Sequence, residues 1–206
     1  MKATLKSNLI KFFTFLIVIC ICVGTSTISG DKNGVFADES PASFSMDSNF
    51  RTGIDGKFSG LNFTTSVNTA WLAENSAESF GTIVFPAENV DNFDMEGSDV
   101  DTIKNAVEGI KFVYTGNVTE AFTYNASIVF DVDVIKTFEG VSDDNIDSVL
   151  KGFYAKEFAA VSYAIVDGVI VWSDDSIISS MVKVATEALS DPALFDVAKA
   201  FIPSDA

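Results

Sequence analysis

"YAKEFAAVSYAIVDGVIVWSDD", residues Tyr154 to Asp175, decides the fold. Two apolar runs flank Asp167-Gly168, a dipeptide suited to a type I′ turn because both central residues need positive φ. The first run is apolar in both phases. Phe158, Ala160, Ala164 and Val166 share one side, and Val161, Tyr163 and Ile165 share the other. A strand with a solvated face alternates polar with apolar, whereas a strand apolar on both faces lies between two layers. The stretch therefore predicts a central hairpin, covered on one face by a second layer and on the other by a helix over Ser176–Leu189.

The neighbouring segments supply those layers. "LNFTTSVN" (Leu61 to Asn68) alternates, with Leu61, Phe63, Thr65 and Val67 inward and Asn62, Thr64, Ser66 and Asn68 outward. Thr69 to Ser79 reads as a short helix capped by Thr69 and anchored by Trp71 and Leu72. "GTIVF" (Gly81 to Phe85) reads as a strand stopped by Pro86. A helix capped by Asp99 or Asp101 carries Ile103, Ala106, Val107 and Ile110 on one stripe. A strand over Lys111–Tyr114 and a turn over Thr115–Asn117 follow, then a longer strand over Phe122–Val132. There, Ala126, Ile128, Phe130 and Val132 oppose Asn125, Ser127, Val129 and Asp131. Ile146, Val149, Leu150 and Phe153 fall at helical spacing. So do Ile177, Met181, Val184 and Ala188, in a helix predicted from Ser173 or Asp174 as its cap. Pro192 opens a last short helix. Together these predict a β-rich α+β fold: antiparallel, sandwich-like sheets with two or three packed helices.

Three regions are expected along the chain. Residues 1–37 read as a signal peptide, with Lys2, Lys6 and Lys11 ahead of the apolar run Phe12 to Gly24 and with "VFA" before Asp38. The run is short for a membrane span. Cys20 and Cys22 lie inside it without the small residue that precedes a lipid-bearing cysteine. Residues 38–49, rich in Ser and Asp, read as a linker, and 50–206 as one secreted domain. Such a domain is left without Cys and, with His 0, without imidazole. Core burial, and no disulfide, would hold it together.

Charge narrows the partners. The chain has 13 Lys+Arg against 29 Asp+Glu, a net of −16. Removing the leader takes Lys2, Lys6, Lys11, Lys32 and Asp31, which deepens the net charge to −19. Such a surface repels nucleic acid and anionic membranes. At 48% hydrophobic the chain is not a disordered acidic tail.

Four stretches in order carry a resemblance: "FRTGIDGKFSGLNFTTSVN" (from Phe50), "FGTIVFPAENV" (from Phe80), "YNASIVFDV" (from Tyr124) and the opening hairpin. Their order resembles an uncharacterised module of large surface and secreted proteins of clostridia and related Firmicutes. That module's pattern runs "GIRF", "GTLIAP", a short apolar strand and "REFVARGYV". Asn62 stands where the pattern has the first Arg and Val161 where it has the second, so roles tied to those arginines do not carry over. The resemblance implies an extracellular, β-rich module with no established catalytic activity.

Candidate chemistry is sparse. Asp94, Glu96, Asp99 and Asp101 cluster oxygens of the kind calcium takes, although a solvated acidic loop is the plainer reading. "DDNID" (Asp143 to Asp147) opens like a calcium loop, but Ser148 and Tyr154 stand where Gly and Glu are needed, so Ser142 or Asp143 reads as a helix cap. A Ser-His-Asp triad is excluded without His. Ser180-Met181-Val182-Lys183 spells S-x-x-K and is assigned to the polar side of the last long helix. Trp71, Trp172, Tyr114, Tyr124, Tyr154 and Tyr163 could line a sugar or peptide platform but suit a core better. Asn62, Asn117 and Asn125 open N-x-S/T sequons, relevant only in a glycosylating host.

The expectation is a non-catalytic secreted or cell-surface module for adhesion or ligand binding, without a cofactor and with an extracellular protein or glycan partner. The alternatives are a glycan hydrolase using two carboxylates and a structural component of an extracellular assembly.

Overall fold

The computed structural model describes residues 44–52, 59–92, 122–174 and 176–203. The signal peptide, the helix predicted from Asp99, the strand predicted over Lys111–Tyr114 and the turn after it lie outside the described residues.

Two antiparallel sheets face each other. The first has three strands in the order β1-β2-β4: β1 (Phe44–Arg51), β2 (Gly60–Val67) and β4 (Phe122–Val129). The second is built on β5 (Glu157–Val166). β3 (Ala77–Pro86) pairs along the whole of one edge of β5; β6 (Val169–Trp172) and β7 (Ile177–Ser180) share the other. Asp167 and Gly168 both have positive φ, 50° and 75°, as the type I′ turn requires. Pro86 ends β3, an edge strand, where proline is tolerated.

The predicted α+β class, with antiparallel sheets and packed helices, is the architecture found. Both faces of β5 are buried, as its sequence requires. On one side Phe158 and Ala160 join Leu61, Phe63, Val84, Ala126 and Ile128 in the main core. Ala164 joins Phe44, Val67, Phe80 and Tyr124 in a second cluster at the other end of the sandwich. Small alanines on β5 leave room for the Phe side chains facing them. On the other side Ala159, Val161 and Tyr163 pack with Ile83 and Phe85.

The covering of that second face differs from expectation. The helix α4 (Met181–Ala188) does not lie over it. Its buried Met181, Val184 and Ala185 belong to the main core, and it packs on β1 and β2. Val90, Ile165, Ile170 and Trp172 flank the second face instead. The reason is local. Ile177–Ser180, read as helix, extends along the part of the β5 edge that β6 leaves open. Trp172 pairs with Tyr163 and Ile177 with Ala160, so β6 and β7 share this edge on either side of Val161 and Ser162. Ser173 holds the chain there: its N–H donates to Ser162 O at 2.8 Å, and its Oγ accepts from Ser162 N at 3.1 Å. The cap of α4 is consequently Ser180, whose Oγ accepts from Lys183 N at 3.2 Å, rather than Ser173 or Asp174.

Further boundaries move: the strand read over Phe122–Val132 ends at Val129, and the last helix begins at Phe195 rather than Pro192. Phe44 to Asn49, read as linker, form most of β1. Phe44, Ser48 and Phe50 point inward and are buried, while Ser45, Asp47 and Asn49 are exposed. The helix read over Thr69–Ser79 shrinks to α1 (Thr69–Glu74), because Ala77 onward pairs with β5. Its cap is Asn68, which accepts from Trp71 N at 2.7 Å.

Helices close the Phe50 end of the sandwich. α2 (Val132–Ile135) is capped by Asp131, which accepts from Asp133 N and Val134 N. α3 (Ile146–Ala155) buries Ile146, Phe153 and Tyr154, and α5 (Phe195–Lys199) buries Ala198. Phe201 then packs its ring on Phe50 and Tyr154, at 5.6 and 4.9 Å between centroids.

Candidate functional site

The two faces of the three-stranded sheet differ sharply. Inward residues are apolar or small; outward residues are mostly Ser, Thr and Asn, with Asp47 among them and Arg51, Gly60 and Val129 in the row at one end. Pairing aligns the outward residues in rows across the strands: Ser45, Ser66 and Thr123; Asp47, Thr64 and Asn125; Asn49, Asn62 and Ser127. Asn49, Asp47 and Ser45 are exposed, Thr64, Ser66, Thr123 and Asn125 are half-buried, and Asn62 and Ser127 are buried.

Five of these side chains, Asn49, Asn62, Thr64, Asn125 and Ser127, form one hydrogen-bonded array. Asn62 Nδ2 donates to Asn49 Oδ1 at 3.0 Å and to Asn125 Oδ1 at 2.9 Å, with Thr64 Oγ1 at 3.2 Å. Asn62 Oδ1 accepts from Ser127 Oγ at 2.7 Å. Thr64 is the second hub: Oγ1 accepts from Asn49 Nδ2 at 2.8 Å and donates to Asn125 Oδ1 at 2.7 Å. In the next row Ser66 and Thr123 place their hydroxyls 3.2 Å apart. A buried amide such as that of Asn62 is tolerated because its oxygen and nitrogen are both engaged. Each bond fixes a rotamer that would otherwise be free, so the array is held in place before any ligand arrives.

The sequence signals resolve differently. Asn62 and Asn125, which open two of the sequons, sit side by side in this array. The Asn62 amide is buried and fully engaged, so a glycan there would require breaking it. Asn117 lies outside the described residues, as do Asp94, Glu96, Asp99 and Asp101. Among the described residues no group of three or more acidic, His or Cys side chains could hold a metal ion. In "DDNID", Asp143 pairs with Lys136 at 2.9 Å. Asn145 accepts from Ser142 N and donates to Gly140 O, closing the turn before α3. The Asp143 carboxylate holds the Lys136 ammonium above its usual range, first by hydrogen bonding and then by charge.

Ser180 and Lys183 do stand at a helix start. Ser180 Oγ serves as the cap, however, and Lys183 is exposed. The aromatics are distributed rather than aligned on one platform. Trp71 rests on Phe44 and Phe80, Tyr154 on Phe130 and Phe201, and Trp172 on Tyr163, while Tyr114 is outside the described residues.

Deep between the sheets is a second polar group. Thr65, Thr82 and Ser162, each fully buried, place their hydroxyls 2.6, 2.9 and 3.3 Å from one another. Each hydroxyl can donate once and accept once, so the three satisfy themselves as a ring. Tyr124 Oη donates to Gly81 O at 2.9 Å on one flank. Ser173 Oγ meets Met46 Sδ at 3.7 Å, and Ser48 Oγ donates to Ser179 Oγ at 3.0 Å, on the other. These groups join sheet to sheet.

Compared with known proteins, the chain matches no family model, no curated protein and no solved structure.

Proposed function

We propose that this protein is a non-catalytic extracellular module for adhesion or ligand binding, with the outward face of the three-stranded sheet as its contact surface. The observation that carries this reading is the Asn49-Asn62-Thr64-Asn125-Ser127 array. It is a broad, pre-ordered set of amide and hydroxyl groups mounted on rigid strands, as a recognition surface needs. The buried hydroxyls bond to each other and the Ser180 hydroxyl caps a helix, so these side chains are engaged structurally. Export is supported by the leader-like first 37 residues and by the resemblance to clostridial surface modules.

The test is a screen of the purified protein against immobilised glycans and surface proteins, with product analysis of the same wells. Saturable binding without turnover is the expected result. Release of sugar or peptide fragments would overturn the reading in favour of a hydrolase.

A further inference from the structure

We infer that the outer face of the second sheet is the docking surface for residues 93–121 of the same chain, with the helix predicted over 99–110 laid along β3 and β5. Ile83 and Phe85 on β3, with Ala159, Val161 and Tyr163 on β5, point away from the first sheet, yet none is more than 3% exposed. A bare sheet face leaves such side chains partly open to water, so a layer must lie over them. The helix α4, expected there, packs on the first sheet instead. Among the described residues outside the sheet, Val90 is the one hydrophobic side chain packed on this cluster. The cover also has an edge. Ile165, Ile170 and Trp172 are half-buried, and Ile178 on β7 is 41% exposed. The layer therefore lies over β3 and β5, thins across β6 and stops short of β7.

Burial and the path of the chain identify the occupant. The face is covered within a single chain, so no second copy is required. Residues 93–121 begin after the turn Ala87–Asn92, whose Val90 packs on the cluster that holds Phe85. They end at Phe122, which opens β4 and sets its ring 4.9 Å from that of Phe80. Between those points the chain must travel back along β3, from Phe85 to Phe80. That stretch of strand is about 17 Å long, and a helix over 99–110 is about 18 Å long. Its apolar residues Ile103, Ala106, Val107 and Ile110 fall at i, i+3, i+4 and i+7, the stripe a helix needs to lie on a sheet. Residues 38–43 lead into β1 and 53–58 join β1 to β2, so both belong to the other sheet. The outer face of the second sheet is thus filled by the chain itself and is closed to a partner.

The experiment uses the full chain carrying Trp71→Phe, which leaves Trp172, at the rim of this face, as the only tryptophan. Ile103→Asp and Val107→Asp each put a charge on the stripe, and Asn105→Asp puts one on the opposite side of the same helix. The stripe variants should lower the urea midpoint, shift Trp172 emission to the red and speed its quenching by acrylamide severalfold, because a carboxylate cannot be buried against this face without a partner. Asn105→Asp should do none of these. Should both stripe variants fail to fold, Val107→Ala decides, by a smaller change in the same direction. Stripe variants that match Asn105→Asp in all three measurements would overturn the inference. So would light scattering that shows the parent chain to be a dimer whose Trp172 emission shifts to the red on dilution, since a second copy would then be the cover.

Discussion

Gly81 is held from both faces of its strand. Its carbonyl accepts the Tyr124 hydroxyl on the inner side. On the outer side the Tyr163 ring, directly across the ladder, lies where a Cβ would be. Gly81→Ala must displace that ring from its edge contact with Trp172, and a loss of about 1–3 kcal/mol in urea unfolding is expected. Adding Tyr163→Ala should cost less in that background than alone, because the clash is then gone. Gly60 offers no such relief. Its Cβ would meet the Ile128 carbonyl, a backbone group, so Gly60→Ala has to shift β2 against β4. It should be the more damaging substitution, and no single side-chain change should rescue it. Tyr154 yields a pH prediction. Burial, and then the charge of Asp147, raise its phenol above the usual value of 10.0. Above about pH 10 the unfolded chain releases this proton while the folded one keeps it, so stability falls as pH rises. Tyr154→Phe should flatten that alkaline fall in a series of denaturation curves. An unchanged slope would show that other groups govern it.

At the scale of elements, strand β5 and its turn were legible because both faces are apolar and Asp167-Gly168 permits one turn geometry. The strands facing it were legible from alternation. What failed had a physical reason in each case. Helical spacing over Ile177 to Ala188 was genuine, but the open edge of β5 took the first four residues into a sheet. An open edge is a tertiary fact and has no local signal beyond the β-branched pair Ile177-Ile178. Strand β1 was hidden by composition: Ser, Asp and Asn suggested a linker, although Phe44, Ser48 and Phe50 already kept period two. The array escaped notice because its members come from three strands and meet only through register; Asn62 and Asn125 are 63 residues apart. The α4 boundary can be checked directly. Ser180→Ala removes the cap bond to Lys183 N and should cost about 1 kcal/mol, whereas Ser173→Ala should instead free the Ser162 N–H. Amide exchange would separate the two, with faster exchange at Lys183 in the first variant and at Ser162 in the second.

Across the whole molecule, the buried hydroxyls divide the sandwich into two apolar ends. Along β2, Phe63 lies in the main core and Val67 in the second cluster, with Thr65 between them. Along β5, Ala160 and Ala164 are divided by Ser162; along β3, Val84 and Phe80 are divided by Thr82. A purely apolar interior would tolerate one sheet sliding on the other, since hydrophobic contact is non-directional. Hydroxyls that must meet within hydrogen-bond range do not, so the ring fixes the sheets' mutual register. This separates stability from specificity. Thr65→Val alone removes one member and leaves its neighbours under-satisfied, for a loss of about 1–3 kcal/mol. The triple variant Thr65→Val, Thr82→Val, Ser162→Ala removes the whole ring and should cost clearly less than the sum of the three single losses. Near-UV circular dichroism of the triple variant should nonetheless weaken, because Tyr124, Tyr163 and Trp172 would no longer be held in one arrangement. If the losses simply add, the hydroxyls act one by one and the register is set by the packing of Phe63, Phe80 and Phe158 instead.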